Sequence, residues 1–337
     1  MVVITGASSG LGRALALEMA RRGASLVLAA RRLEVLEDVA RQCQAAGGSA
    51  IAVQTDVTVE ADVQRLLART LEHAGRIDIW VNNAGVTLYA LLEQGPFEPH
   101  RRVLETNLFG AILGARAVVP VFRRQHRGVL INVGSVLSQI GQAFVPAYTI
   151  SKFGVHGLSE ALRVELADER DVHVCTAFPY AIDTPHFQVA ANQLGLTPRA
   201  LPPVQSPEKV AFAIADLAER PRRTLFVPRF VVLGLALHAL VPRTVERLLL
   251  DTLRRWHLST RPERISDGNL YEGAPGDAKV QGDRPPMLST AKLLVWAVGD
   301  LAKLQLTSLR RRTGEALAAL GAGGESARGR GAPPELT

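Results

Sequence analysis

Val2-Val3-Ile4-Thr5-Gly6-Ala7-Ser8-Ser9-Gly10-Leu11-Gly12 lies at the start of the chain, and its reading decides the fold. Val2 to Ile4 is a short β-branched run, suited to a buried strand. A turn with Gly6, Gly10 and Gly12 follows it. From Arg13 to Arg22 the residues are helix formers, with apolar Leu15, Leu17 and Met19. The stretch therefore predicts strand, glycine-rich turn, helix. Glycines let a backbone turn sharply and approach a phosphate closely. A helix start adds unpaired N–H groups and the positive end of its dipole, which suit a pyrophosphate. The spacing is Gly-x-x-x-Gly-x-Gly, not the common dinucleotide fingerprint, so the turn alone does not decide function.

Downstream the same rhythm repeats. Ser25 to Ala30 predicts a second buried strand, Leu33 to Ala46 a helix ending at Gly47-Gly48, and Ala50 to Val53 a third strand. A helix reaching His73 leads to a fourth strand, Ile77 to Val81. A long helical stretch, about 99 to 124, leads to a fifth, Gly128 to Val133. A sixth, Val172 to Ala177, follows the Tyr148 to Asp168 helix, and Thr224 to Val227 reads as the last. Ser206 and Pro207 fit the N-cap and first position of a helix before it. A loop and helix from about 186 to 203 would cover a substrate. Strands alternating with helices imply β-α-β units, an α/β Rossmann-type doubly wound parallel sheet. Any site then belongs at the carboxyl ends of the strands.

The polar motifs fall at those ends. Ala30 closes the second strand where a ribose-chelating acid would favour NAD. Arg31 and Arg32 stand next, and an arginine fork can pair a 2′-phosphate, which points to NADP(H) rather than NAD(H). Thr55-Asp56-Val57 ends the third strand. Asp56 could bond an adenine amino group or cap the next helix. Asn107 sits within a helix, a poor position for asparagine unless its amide is used or faces solvent. Tyr148 and Lys152 are one helical turn apart. A free phenol titrates at about pH 10, and a neighbouring ammonium favours the phenolate and lowers that pKa.

Together these residues resemble a classical short-chain dehydrogenase/reductase over Val2 to about Pro228. The matching pieces are TGASSGLG (5–12), D-V (56–57), NNAG (82–85), N-x-x-G (107–110), G-S (134–135), Y-x-x-x-K (148–152) and P-x-x-I-x-T (179–184). The resemblance implies about seven strands with helices on both faces, assembled as homodimers or homotetramers. It implies a tetrad of Asn107, Ser135, Tyr148 and Lys152. Ser135 would donate to a substrate oxygen, Tyr148 would exchange its proton, Lys152 would hold the nicotinamide ribose, and Asn107 would anchor a water linked to Lys152. It assigns NADP(H) to Gly6, Ser8, Ser9, Gly10, Leu11, Gly12, Arg31, Arg32, Asp56, Val57, Asn83, Ala84, Gly85, Tyr148, Lys152, Pro179, Ile182 and Thr184. Ser138 is either an ordinary loop serine or a substrate contact. One departure is Tyr180, where the family pattern has glycine; its ring could wall the substrate pocket. No metal is expected.

Of the 337 residues 47% are hydrophobic, enough for a substantial core. The net charge of +7 comes with only 5% aromatics. That composition argues against a base-stacking nucleic-acid platform and for an anionic cofactor or membrane surface. Cys43 and Cys175 read as buried reduced thiols. The chain opens directly into the first strand without a basic leader, so a cytoplasmic protein is expected. Residues 1–228 form the predicted catalytic domain. Residues 229–320 form a helical, partly apolar extension with a polar linker at 260–286, and 321–337 a disordered tail. Phe230 to Val241 is apolar but shorter than the roughly 20 residues that span a bilayer. With Arg243, Arg247, Arg254 and Arg255 after it, 229–256 could be a peripheral membrane contact or a flap on the domain or a partner subunit. The function expected is NADP(H)-dependent interconversion of a carbonyl and a secondary alcohol on an apolar, lipid-like small molecule. The alternative is an NADP(H)-binding scaffold or sensor without turnover.

Overall fold

The computed structural model describes residues 1–274 and 276–282. Seven parallel strands form one sheet: β1 (Val2–Thr5), β2 (Ser25–Ala30), β3 (Ser49–Gln54), β4 (Ile79–Asn82), β5 (Gly128–Val133), β6 (Val172–Pro179) and β7 (Thr224–Val227). Their order across the sheet is β3-β2-β1-β4-β5-β6-β7. The chain thus winds outward from β1 to β3, returns, and winds the other way from β4. The crevice beside β1, where the winding reverses, is where doubly wound sheets bind ligands.

The strands are apolar on both faces because both faces are covered. Val2 and Ile4 pack into one layer with α1 (Gly10–Arg21), α2 (Leu33–Ala45) and α7 (Pro207–Glu219). Val3 points the other way, toward α3 (Glu60–Ala74), α5 (Gly110–Gln125) and α6 (Pro146–Glu165). Burying each such side chain fully contributes about 1.5–3 kcal/mol. A polar thread crosses the second layer. Asn82 donates to the side chain of Asn132 (2.9 Å) and to Ala111 O (3.0 Å), and Asn132 donates to Ser159 (2.9 Å). Each buried amide is thereby satisfied, which avoids its desolvation penalty.

The long helical stretch expected near Asn107 is interrupted. A five-residue π-turn, Glu105–Phe109, joins α4 (Phe97–Leu104) to α5. Such turns are frequent at functional sites. Among the described residues, Phe97–Gln125 is the one helical run long and apolar enough to cross a membrane, and half of its apolar window is buried within the fold.

Two expectations need correction. Residues 186 to 203 form no α-helix. They hold a 3-10 turn, Pro185–Phe187, and two short strands. Pro198, Pro202 and Pro203 oppose a helix, and the strands pair with Leu88–Tyr89 and with Leu258–Pro262. Nor does the compact unit end near residue 228; among the described residues it runs on to Gly282. After α8 (Val231–Leu240) and α9 (Pro242–Thr252), the chain turns through Leu253–His257 and returns as a strand. The expected linker is thus hydrogen-bonded structure up to Gly282, because Arg31, Arg32 and Asp183 hold it. The rest of the expected helical extension, up to residue 320, and the tail at 321–337 lie outside the described residues.

Candidate active site

The glycine turn after β1 is built by close backbone packing. Gly6 has φ +67°, and a Cβ there would lie 2.8 Å from Ala84 Cα. At Gly12 a Cβ would lie 2.2 Å from Gly6 O. No side chain fits either position, so the turn stays bare. Asn83 ties it to β4 by donating to the carbonyls of Thr5 (2.9 Å) and Gly6 (3.2 Å). Ser9 is the N-cap of α1 and contributes no side-chain capping bond. Ser8, Leu11 and Gly12 line the cleft here, and the first N–H of α1, at Gly10, donates to Lys279 O (2.8 Å).

At the end of β2, Arg31 and Arg32 enter the same cleft. Asp56 does not cap α3, whose N-cap position is Val59. Its carboxylate accepts from the Thr58 N–H (2.9 Å) and pairs with Arg102 (3.0 Å). Burial opposes the charge on Asp56, but these bonds outweigh it and hold the carboxyl below its ordinary range.

Ser135 and Tyr148 face one another across the cleft floor. A short 3-10 turn, Val136–Ser138, follows β5, and Ser135 is its N-cap. Its Oγ accepts from Leu137 N (3.1 Å). Burial pushes the Tyr148 phenol up to about 12, while a hydrogen bond with Ser135 pulls the other way. Lys152 lies one turn along α6, 5.5 Å from the Tyr148 ring centre, and donates to Val133 O (2.8 Å). Burial lowers it to about 8. The expected acidified tyrosine is therefore corrected: within the chain itself, loss of solvation dominates.

Asn107 and Ser138 have other work. The Asn107 amide accepts from Val86 N (2.8 Å) and donates to Val86 O (3.0 Å) and Ser151 Oγ (3.0 Å). Ser151 in turn donates to Tyr148 O (2.7 Å). The side chain thus braces the α6 turn that carries Tyr148. Ser138 is 1% exposed, and its hydroxyl accepts from Ser135 N (3.1 Å). It is a support for Ser135 and does not wall the cleft, which removes it as a substrate contact.

One cleft, with about 280 Å³ of internal space, joins these parts. Small-molecule sites begin at about 300 Å³. Every residue expected at the cofactor lines it, including Val57, Gly85, Pro179, Ile182 and Thr184. Tyr180 also lines it, and burial pushes its phenol to about 12. The bare glycine turn, helix start and two arginines fit a phosphate-bearing dinucleotide. Several lining residues had no signal in the sequence. His186 hydrogen-bonds Thr87 (2.6 Å) and sits 6.0 Å, ring to ring, from Tyr148. His257 lies 5.6 Å from the Tyr89 ring. Leu137, Val145, Phe187, Val189 and Leu201 make this end apolar.

Comparison with known proteins agrees. The family model for short chain dehydrogenases matches residues 1–194. The chain is 35% identical over 282 residues to the "Uncharacterized oxidoreductase YxnA" of Bacillus subtilis strain 168, covering 82% of this chain and 79% of that protein. It is 32% identical to a sepiapterin reductase of Chlorobaculum tepidum, over 67% of this chain and 92% of the other. A metagenomic short-chain oxidoreductase solved in complex with NADP superposes with a TM-score of 0.57 at 30% identity, covering 67% of this chain and 94% of that one. The chain belongs to the short-chain dehydrogenase family.

Proposed function

We propose that this protein is an NADP(H)-dependent oxidoreductase that interconverts a carbonyl and a secondary alcohol on an apolar, lipid-like substrate. The observation that carries the reading is that Ser135, Tyr148 and Lys152 share one cleft with the glycine turn and Arg31. Bound nicotinamide would supply the hydride, and the protein supplies position and electrostatics. Ser135 donates to the substrate oxygen and stabilises negative charge developing on it. Tyr148, neutral at pH 7, gives that oxygen its proton in the reductive direction. Lys152, fixed on Val133 O, presents its charge to the cofactor ribose and the tyrosine. Arg31 at the end of β2, with Ala30 in place of an acid, supports NADP(H) over NAD(H). The NADP named for the similar metagenomic enzyme supports the same choice. The apolar substrate follows from the Val145, Phe187 and Leu201 end of the cleft.

Two finer readings accompany this one. Exposed Phe109 at the end of the π-turn, with exposed Ile150 and Phe153 on α6, supports a homodimer or homotetramer. The exposed Leu233, Leu237 and Leu240 of α8, next to exposed Arg229, Arg243 and Arg247, support an anionic membrane surface as the partner of 229–256. Light scattering tests the first. Co-sedimentation with vesicles containing phosphatidylserine tests the second, and equal binding to neutral vesicles or none removes it.

A panel of ketones and aldehydes, followed by NADPH absorbance, tests the reaction. Turnover of apolar carbonyls is expected. Tight NADPH binding without turnover of any substrate would support the scaffold reading instead.

A further inference from the structure

The segment 269–282 crosses the mouth of the cleft and takes up the cationic groups that frame it. Arg31 donates through Nη1 to the carbonyls of Leu270 (3.1 Å) and Tyr271 (2.6 Å), and through Nη2 to Asn269 (2.9 Å). Arg32 pairs with Asp277, whose side chain is 5% exposed. Arg13 donates to Ala278 O (2.7 Å), and the Gly10 N–H in the glycine turn donates to Lys279 O (2.8 Å). The far end is pinned by Gly282 N on Asp183 O (3.1 Å). The near end is pinned by Leu270, fully buried among Val86, Leu88, Val103 and Ala147.

We propose that residues 269–282 are a clasp over the adenosine half of the cofactor cleft, and that bound NADP(H) leaves only when the clasp opens. The proposal rests on the NADP(H) reading above. The segment leaves open space beside it: Asn269, Gly273 and Asp277 line the same cavity as Arg31 and Asp56. Where it crosses Arg32 it carries Gly273, and a Cβ there would lie 2.3 Å from Arg32 Cδ. Its grip on Arg31 uses three of the five guanidinium donors. Nε and one Nη2 proton are left over from these three bonds, and Arg31 lines the cavity. Arg102 couples the roof to the adenine wall, donating to Leu270 O (3.2 Å) and to Asp56 (3.0 Å). The latch is thus electrostatic on one side and apolar on the other, so it can be weakened without removing the cleft beneath.

The test is the release rate of NADPH from the full-length protein, by stopped-flow fluorescence with an excess of NADP⁺ as chase. Asp277→Asn loosens Arg32, and Gly273→Val wedges the roof away from it. Each is expected to speed release at least tenfold. Hydrogen exchange on the wild-type protein gives a second readout that needs no variant. NADPH is expected to slow exchange of the 269–282 amides, as a roof closing on its ligand would. Unchanged release in both folded variants overturns the clasp. So does faster exchange of 269–282 on NADPH binding, which would mean that the segment competes with the cofactor. If wild-type protein fails to bind NADPH in an equilibrium titration, the cofactor reading falls and the clasp with it. If it binds and only these outcomes fail, the clasp alone is lost.

Discussion

The Lys152 ammonium lies 5.5 Å from the centre of the Tyr148 ring, and its hydrogen bond goes to the Val133 carbonyl. Lys152 is buried and Tyr148 half-buried, and loss of solvation opposes a charge on each. It raises Tyr148 to about 12 and lowers Lys152 to about 8. At pH 7 the pair is thus a neutral phenol beside an ammonium, which suits proton donation to a carbonyl oxygen.

The Lys152 shift has a consequence for stability. The folded lysine titrates at about 8, an exposed one at 10.5. Between these values the unfolded chain holds a proton that the folded chain does not, so stability rises with pH across that window. Below pH 8 the cost of the buried charge is present in full. Tyr148 acts in the opposite sense, but its contribution is lost only above pH 10, where an exposed phenol starts to ionise. Lys152→Met should therefore flatten the stability profile between about pH 8 and 10. Urea unfolding of both proteins at several pH values in that range reads the slopes, and parallel profiles would contradict the buried ammonium.

Arg31 is expected to select the cofactor. Arg31→Ala removes a charged donor from the end of β2, worth about 1.5–3 kcal/mol. The preference for NADPH over NADH should fall roughly ten- to hundredfold, a ratio that loosening of 269–282 leaves unchanged because it affects both nucleotides alike. Titration with both nucleotides measures it, and equal losses would take Arg31 away from the 2′-phosphate.

Ser138 supports Ser135 from behind. Ser138→Ala leaves the buried Ser135 N–H without its 3.1 Å acceptor. A loss of about 1–3 kcal/mol in stability is expected. Ser138→Thr keeps the hydroxyl and should recover part of it. A Ser138→Ala protein as stable as wild type, measured by denaturant unfolding, would remove the brace.

Much of the fold was legible because each layer repeats a local pattern. Val2 to Ile4, Ser25 to Ala30 and Gly128 to Val133 are β-branched or apolar runs, and each ends in the polar or glycine residues that meet at the cleft. Tyr148 and Lys152 were legible because one helical turn relates them. What was hidden depends on segments remote in sequence. Arg102 joins Asp56 to Leu270, and Asp277 meets Arg32 across some 245 residues. No periodicity announces such pairs. Residues 186 to 203 were misread as helical, since their short strands take their partners from 88–89 and 258–262. The tyrosine pKa was misjudged for a related reason. Spacing reveals the neighbouring charge, but only the packed site reveals how much water both groups lose.

The most direct measurement is turnover by Tyr148→Phe on a carbonyl that the wild-type protein reduces, with NADPH affinity determined on the same sample. Phenylalanine keeps the ring and removes the hydroxyl that carries the exchangeable proton. A fall in kcat of about 10²–10⁴ is expected, with NADPH affinity within about threefold of wild type, since removing one neutral hydrogen bond changes binding by about 0.5–1.5 kcal/mol at most. Normal turnover by the folded variant would contradict the acid/base assignment of Tyr148.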